Sequence, residues 1–403
     1  MTGVHLHLHP RVAWPRMGTT WEALTGDVEE LAGEWRADRP ARQARRGLDP
    51  GDFARLARAG FVDVAVPEAR GGLWRSVADT TGPICAVLRT LAAADPSVAL
   101  VASMHPAVIG FWLARPDPER ATWSEQFDAI VATAAAGALW GTITSEPGSG
   151  GDILRTRTLA VPDGEANGDV PGAAYRLSGD KHFGSGSGVT SFMITTAVAE
   201  GEDVPAFFVI DVRDRPWDGS AGVRLIAEWD GMGMAATQSH AMRLEGCPAI
   251  RHAWDGPLEE LTAAAGPLVA SLFTAVVVGV LDEAIHTAKQ QLAPKADGLR
   301  AYERVEWSRA ELEHWLAVQA HEGALRAVES GDHASALHAT LRAKEAVAEL
   351  AETSLGRLGR VIGGGTYSRR SPFAAWFEDV RALGFLRPPW GLAYDALFGT
   401  SFA

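Results

Sequence analysis

Cysteine is almost missing from this chain: Cys85 and Cys247 are the only two in 403 residues. Two thiols cannot build a disulfide framework, and the scarcity fits a reducing compartment. Positive charge is short as well, with 37 Lys and Arg against 50 Asp and Glu and a formal net charge of -13. That balance makes a nucleic-acid backbone or an anionic membrane surface a poor main partner. The local basic cluster Arg42, Arg45 and Arg46 reads as a solvated helix face. The longest apolar run, Leu268 to Leu281, is interrupted by Ser271 and Thr274 and is too short for a span, so it reads as a buried helix. No charged-then-apolar leader opens the chain, and a cytoplasmic location is expected. A phosphate loop is missing too. Gly231-Met232-Gly233-Met234 follows strand-like residues without the helix that dinucleotide binding requires.

What is present is ordinary globular composition, 47% hydrophobic and 22% charged, in a chain long enough for two or three packed domains. Residues 1–20 read as a flexible tail. Its His5-Leu6-His7-Leu8-His9 puts alternate histidines on one face, but a metal site is not expected there. Residues 21–138 read as helical, with Phe53, Leu56, Ala57 and Phe61, then Ile84, Val87, Leu88 and Leu91, at helical spacing. Asp49-Pro50 and Asp95-Pro96 supply N-caps with a first-turn proline, and Gly60 ends a helix before an expected extended stretch from Val62 to Pro67. Over residues 139–255 the grammar changes to short strands: Thr142 to Thr144, Ala174 to Leu177, Phe192 to Val198, Ala206 to Ile210, Val223 to Ile226 and Ser239 to Leu244. Ser178-Gly179-Asp180-Lys181 reads as a hairpin turn. Residues 256–403 return to helical period, with long helices over Glu303 to Val328 and Ala334 to Val361 and a further one after Pro372. The fold class expected is therefore α+β: an N-terminal helical domain, a central antiparallel β-barrel or sandwich, and a C-terminal four-helix bundle.

That order, together with local motifs, resembles the acyl-CoA dehydrogenase superfamily. Thr144-Ser145-Glu146-Pro147-Gly148-Ser149-Gly150-Gly151-Asp152 is similar to its Thr-Glu-Pro-Gly-x-Gly-Ser-Asp loop. Lys181-His182-Phe183-Gly184-Ser185-Gly186 resembles its Lys-x-Trp-Ile-Thr-Asn. Gly363-Gly364-Gly365-Thr366-Tyr367, followed by Phe377-Glu378-Asp379-Val380-Arg381, resembles its Gly-Gly turn and Arg-Asp helix. The resemblance implies a bound flavin, FAD or alternatively FMN, contacted by Thr144, Ser145, Phe183, Ser185, Gly363 and Gly364. Ser145 would meet the pyrimidine edge, where a reduced ring carries charge that hydroxyl donors stabilise. Phe183 would pack on the ring, and Ser185 would stand near N5. Cofactor binding across a subunit interface implies a homodimer or homotetramer. Read without the resemblance, the glycine-rich loops are hairpin turns and Gly363 to Gly365 are a C-cap.

The same resemblance implies α,β-dehydrogenation of an acyl thioester, carried by coenzyme A or a carrier protein, with hydride transfer to flavin N5 and an unknown electron acceptor. Its usual catalytic glutamate is Arg387 here, and a guanidinium cannot act as a base. The alternative position of that glutamate is Ala265, the arginine that grips the pyrophosphate falls near Gln291, and the loop serine is Gly151. Gly151 and Arg387 are then expected at the substrate. Replacement bases are Asp395 and Glu378, with Asp379 a salt-bridge partner. His105 and His182 are candidate acids, and Trp376 and Trp390 packing residues. Two further readings stand beside dehydrogenation: a reduced-flavin-dependent monooxygenase of the same fold, and a non-catalytic binding or assembly subunit.

Overall fold

The computed structural model describes residues 18–164 and 168–401; the histidines of the N-terminal tail lie outside them. Six α-helices come first among the described residues: α1 (Trp21–Ala37), α2 (Arg39–Ala44), α3 (Pro50–Arg58), α4 (Val77–Ala94), α5 (Pro96–Leu113) and α6 (Ala121–Ala135). The capping chemistry works as expected. The Asp49 carboxylate accepts from Gly51 N–H and that of Asp95 from Val98 N–H, each with proline in the first turn. Gly60 ends the α3 segment at φ 91, where a Cβ would fall 2.4 Å from the Thr19 methyl. The stretch after it is not extended: Phe61–Ala65 is a 3-10 helix. All five of its side chains are buried, so burial overrides the β preference of Val62 and Val64.

Seven strands follow among the described residues: β1 (Trp140–Thr142), β2 (Leu159–Pro162), β3 (Ala174–Gly184), β4 (Phe192–Ala199), β5 (Pro205–Asp211), β6 (Val223–Ala227) and β7 (His240–Arg251). Strands β4, β2, β3, β7 and β5 close on one another through the β4–β5 pairing, making a small barrel; β1 extends it beside β4 and β6 beside β7. The barrel is mixed rather than purely antiparallel, because β1 and β2 both run parallel to β4. Nor is there a hairpin at Ser178 to Lys181: these residues continue β3 along β7. Gly179 is there because a Cβ would fall 2.4 Å from Thr158 Oγ1, a close approach rather than a turn. Ile143, Leu177, Met193, Phe208, Met242 and Leu244 fill the interior.

The third part is α7 (Leu258–Leu292), α8 (Ala301–Glu329) and α9 (His333–Ile362), then α10 (Phe373–Val380), α11 (Ala382–Phe385) and α12 (Trp390–Ser401). The bundle thus has three long members, and the expected fourth is broken into short helices. Pro388 and Pro389 interrupt the segment. Helices α5 and α7 are apolar enough to cross a membrane, yet 89% and 83% of those windows are buried inside the fold, so they are core helices. Where α4 crosses α7, a Cβ on Gly279 would fall 2.3 Å from the Arg89 carbonyl oxygen. Gly279→Ala should therefore lower folding stability by about 1–3 kcal/mol, read as a shift in urea midpoint.

Candidate active site

The two motif loops meet at one end of the barrel. The Ser145 carbonyl accepts from His182 N–H at 2.8 Å, which sets the end of β3 beside the loop that follows β1. Beneath that contact lies a buried ion pair that sequence reasoning did not assign, although both partners stand inside the motifs. Lys181 Nζ is 2.5 Å from Glu146 Oε1, with the Lys181 side chain 0% and the Glu146 side chain 4% exposed. Lys181 also donates to the Thr196 carbonyl at 2.6 Å, and Glu146 accepts from Thr156 Oγ1, Thr158 Oγ1 and Arg157 N–H. Burial would push the Glu146 carboxyl up, but these donors, Lys181 first, hold it at about 2. Burial draws Lys181 down to about 8 against the pull of Glu146. Both are therefore ionised at neutral pH.

Above this clasp, Phe183 is held at φ 59 and is 57% exposed, with Trp229 edge-on at 6.0 Å. A large aromatic in left-handed backbone with a bare face is costly to maintain without a partner. Ser185 is buried, its Oγ 2.9 Å from Ser239 Oγ, which is 2.7 Å from Thr237 Oγ1. Ser239, Thr237 and Trp229 come from the β6–β7 connection, outside the three motifs.

Arg387, from the turn between α11 and α12, reaches the same place. Its Nη1 donates to the Gly151 carbonyl at 2.8 Å and its Nη2 to Ser145 Oγ at 3.3 Å. A Cβ on Gly151, which sits at φ 81, would fall 2.7 Å from Pro389 Cγ. The loss of the loop serine and the arrival of Pro388-Pro389 are thus one packing solution. Desolvation pulls the half-buried guanidinium down to about 10, with only partial relief from the charge of Asp152.

The carboxylates expected as replacement bases do not join this group. Glu378 is ion-paired with Arg381 at 2.8 Å on its own helix, and Asp395 is exposed on α12. Asp379 is not a salt-bridge partner: its Oδ1 accepts from Met234 N–H at 2.6 Å, and among the described residues no cation lies within ion-pair distance. Burial, with the charges of Asp95 and Glu378 adding to it, pushes that carboxyl up to about 7. His105 is structural: it is buried, and its ring bonds the Val62 carbonyl and Trp140 N–H. Half-buried His182 lies beside Phe183. Thr144 is buried next to Ser145. Ala265 is buried in α7, and Gln291 is exposed at its far end. Gly363 and Gly364 close α9 with nothing within 4 Å of either Cβ position. Trp376 is buried under Arg39, and Trp390 packs on Phe385 and over Gly384.

Two clefts lie elsewhere, one of about 930 Å³ between α4, α7 and α8 and one of about 260 Å³ on the barrel. Neither is lined by a motif residue, so chemistry rather than depth marks the site. Among the described residues no group of three or more His, Cys, Asp or Glu side chains is placed to hold a metal.

No family model matches the chain. It is 28% identical over 270 residues to a probable FMNH2-dependent monooxygenase, SfnC, of Pseudomonas putida, a match spanning 65% of this chain and 60% of that relative. It is 24% identical over 371 residues to a putative acyl-CoA dehydrogenase, YdbM, of Bacillus subtilis, covering 87% of this chain and 88% of the relative. The crystal structure of FMN-bound TdsC from Paenibacillus superposes with a TM-score of 0.75 at 19% identity, covering 93% of this chain and 96% of that one. The fold is acyl-CoA dehydrogenase-like, and the resemblance drawn from the motifs holds at that level.

Proposed function

We propose that this chain is a flavin-dependent oxidoreductase that works with reduced flavin and dioxygen, a monooxygenase, in preference to an acyl-thioester dehydrogenase. The observation that carries this reading is the placement of Arg387. Removing a proton next to a thioester needs a base within hydrogen-bond reach, and the side chain that meets Ser145 and Gly151 is a guanidinium. The carboxylates expected as bases are engaged or exposed elsewhere, as described for Glu378, Asp379 and Asp395, and Asp152, whose charge reaches Arg387, accepts from Leu154 N–H. The relative named as an FMNH2-dependent monooxygenase and the FMN-bound structural neighbour support the same reading.

The residues fit a flavin. Phe183 offers an exposed aromatic face for a planar ring, while Ser145 and Ser185 supply hydroxyls within the same group of loops. FMN suits the chain better than FAD, since exposed Gln291 stands where the resemblance implies a pyrophosphate-gripping arginine. When bound, the reduced flavin would supply the electrons that activate oxygen. The chain's own work is then to orient the ring on Phe183, to hold a proton at Ser185 Oγ through the Ser239 and Thr237 hydroxyls, and to present the Arg387 charge. The test is oxygen consumption by the purified protein with photoreduced FMN, set against anaerobic bleaching of oxidised, protein-bound flavin by a series of acyl-CoA thioesters. Protein-dependent acceleration of oxygen uptake is expected. Acyl-CoA bleaching without it would overturn the proposal.

A further inference from the structure

Arginines inside this fold are matched by carboxylates. Arg42 pairs with Asp52 and Asp95, Arg39 with Glu283, Arg89 with Asp282, and Arg357 with Glu306 and Glu313. Half-buried Arg215, held by the Asp211 and Ala221 carbonyls, and Arg387 depart from that pattern, and of the two only Arg387 stands among the motif loops. It is half-buried, and among the described residues no carboxylate lies within ion-pair distance of it. Its hydrogen-bond partners, the Gly151 carbonyl and the Ser145 hydroxyl, are neutral. A desolvated cation with no carboxylate bonded to it is among the costlier things a protein can keep; desolvation depresses its pKa, and the charge of Asp152 offsets that only in part.

The two bonds also orient it. A guanidinium has five N–H groups, and Gly151 and Ser145 engage two of them, which leaves donors for an acceptor that presents two oxygens. The arm cannot easily relax away, because Pro389 is packed against Gly151 at the spacing only glycine permits. The charge is therefore fixed beside Ser145, aimed at whatever shares the site.

We infer that Arg387 is a specificity-determining residue that binds an oxyanion of the substrate, so that the substrates of this site are small molecules bearing a carboxylate, sulfonate or phosphate group. The inference rests on the reading of this loop cluster as a flavin site and names what that site accepts beside the ring. An anion could also come from the reduced flavin itself, and the experiment separates the two sources.

Binding of methanesulfonate and acetate, and of their neutral counterparts dimethyl sulfone and acetamide, is measured by calorimetry on the flavin-free and the FMN-loaded protein. The same titrations are run on Arg387→Met and Arg387→Lys, and FMN affinity is measured for all three proteins. The anions are expected to bind the wild type roughly ten- to a hundredfold more tightly than the neutral counterparts. Methionine should abolish that preference and lysine restore part of it, with any change in FMN affinity the same for the oxidised and the reduced flavin. Equal binding of anion and neutral counterpart by the wild type would overturn the inference without any variant. So would an anion preference that survives Arg387→Met, or a loss confined to reduced-FMN affinity, which would assign the guanidinium to the cofactor. Failure of the wild type to take up FMN at all would sink the flavin reading, whereas uptake without anion preference sinks only this one.

Discussion

Replacing Lys181 by methionine is expected to cost about 3–5 kcal/mol of folding stability. The ammonium is fully buried and satisfies Glu146 Oε1 and the Thr196 carbonyl. Without it the Glu146 carboxylate stays buried with only neutral donors. The partner change Glu146→Gln in the same background should recover much of the loss, because the cost lies in the orphaned charge rather than in the pair. A double-mutant cycle in urea measures the coupling, and independent, additive losses would refute the clasp. The pH dependence has a defined sign. Glu146 is held well below the ordinary carboxylate range, so its contribution is present above the usual Glu pKa and is lost as pH falls through about 2. Since the clasp underlies the contact from His182 N–H to the Ser145 carbonyl, the variant should also lose flavin binding under conditions where it remains folded.

How much of this was legible beforehand depends on whether the cause was local. Helix caps at Asp49 and Asp95, the stop at Gly60 and most strand centres follow from neighbours in sequence, and the structure has them there. Strand β2 has no such local cause, because Leu159 and Val161 are exposed and the strand is defined by its partners β3 and β4. Gly179 reads as a turn residue in sequence since nothing near it announces Thr158, which arrives just ahead of β2. The site shows the same division. Arg387, Gly151 and the proline pair were each visible as departures from the motifs. That the arginine bonds the Gly151 carbonyl and the proline covers the Gly151 Cα is a tertiary fact. Likewise Glu146 and Lys181 could be seen in their loops, but their pairing required the barrel to bring the loops together.

Asp379 carries the second large effect, and it runs opposite to that of Glu146. The carboxyl is buried, receives one N–H from Met234 and lies near the negative charges of Asp95 and Glu378. Its proton is therefore kept in the native state up to about pH 7, while the unfolded chain releases it near the usual Asp value of about 4. Between those points the native state binds more protons than the unfolded one, so stability must fall as pH rises, by a few kcal/mol in all. Asp379→Asn keeps an acceptor for Met234 N–H and removes the titration. It should flatten the urea-measured stability profile between about pH 4 and 7 and leave the variant more stable than the wild type above neutrality. The site feels this through one residue. The Met234 carbonyl accepts from both Trp229 Nε1 and Thr237 Oγ1, and Thr237 holds Ser239 beside Ser185. Ionising Asp379 should accordingly loosen the connection that carries Trp229, giving a tryptophan fluorescence transition near neutral pH in the wild type. A transition of the same size in the asparagine variant would show that another group is responsible.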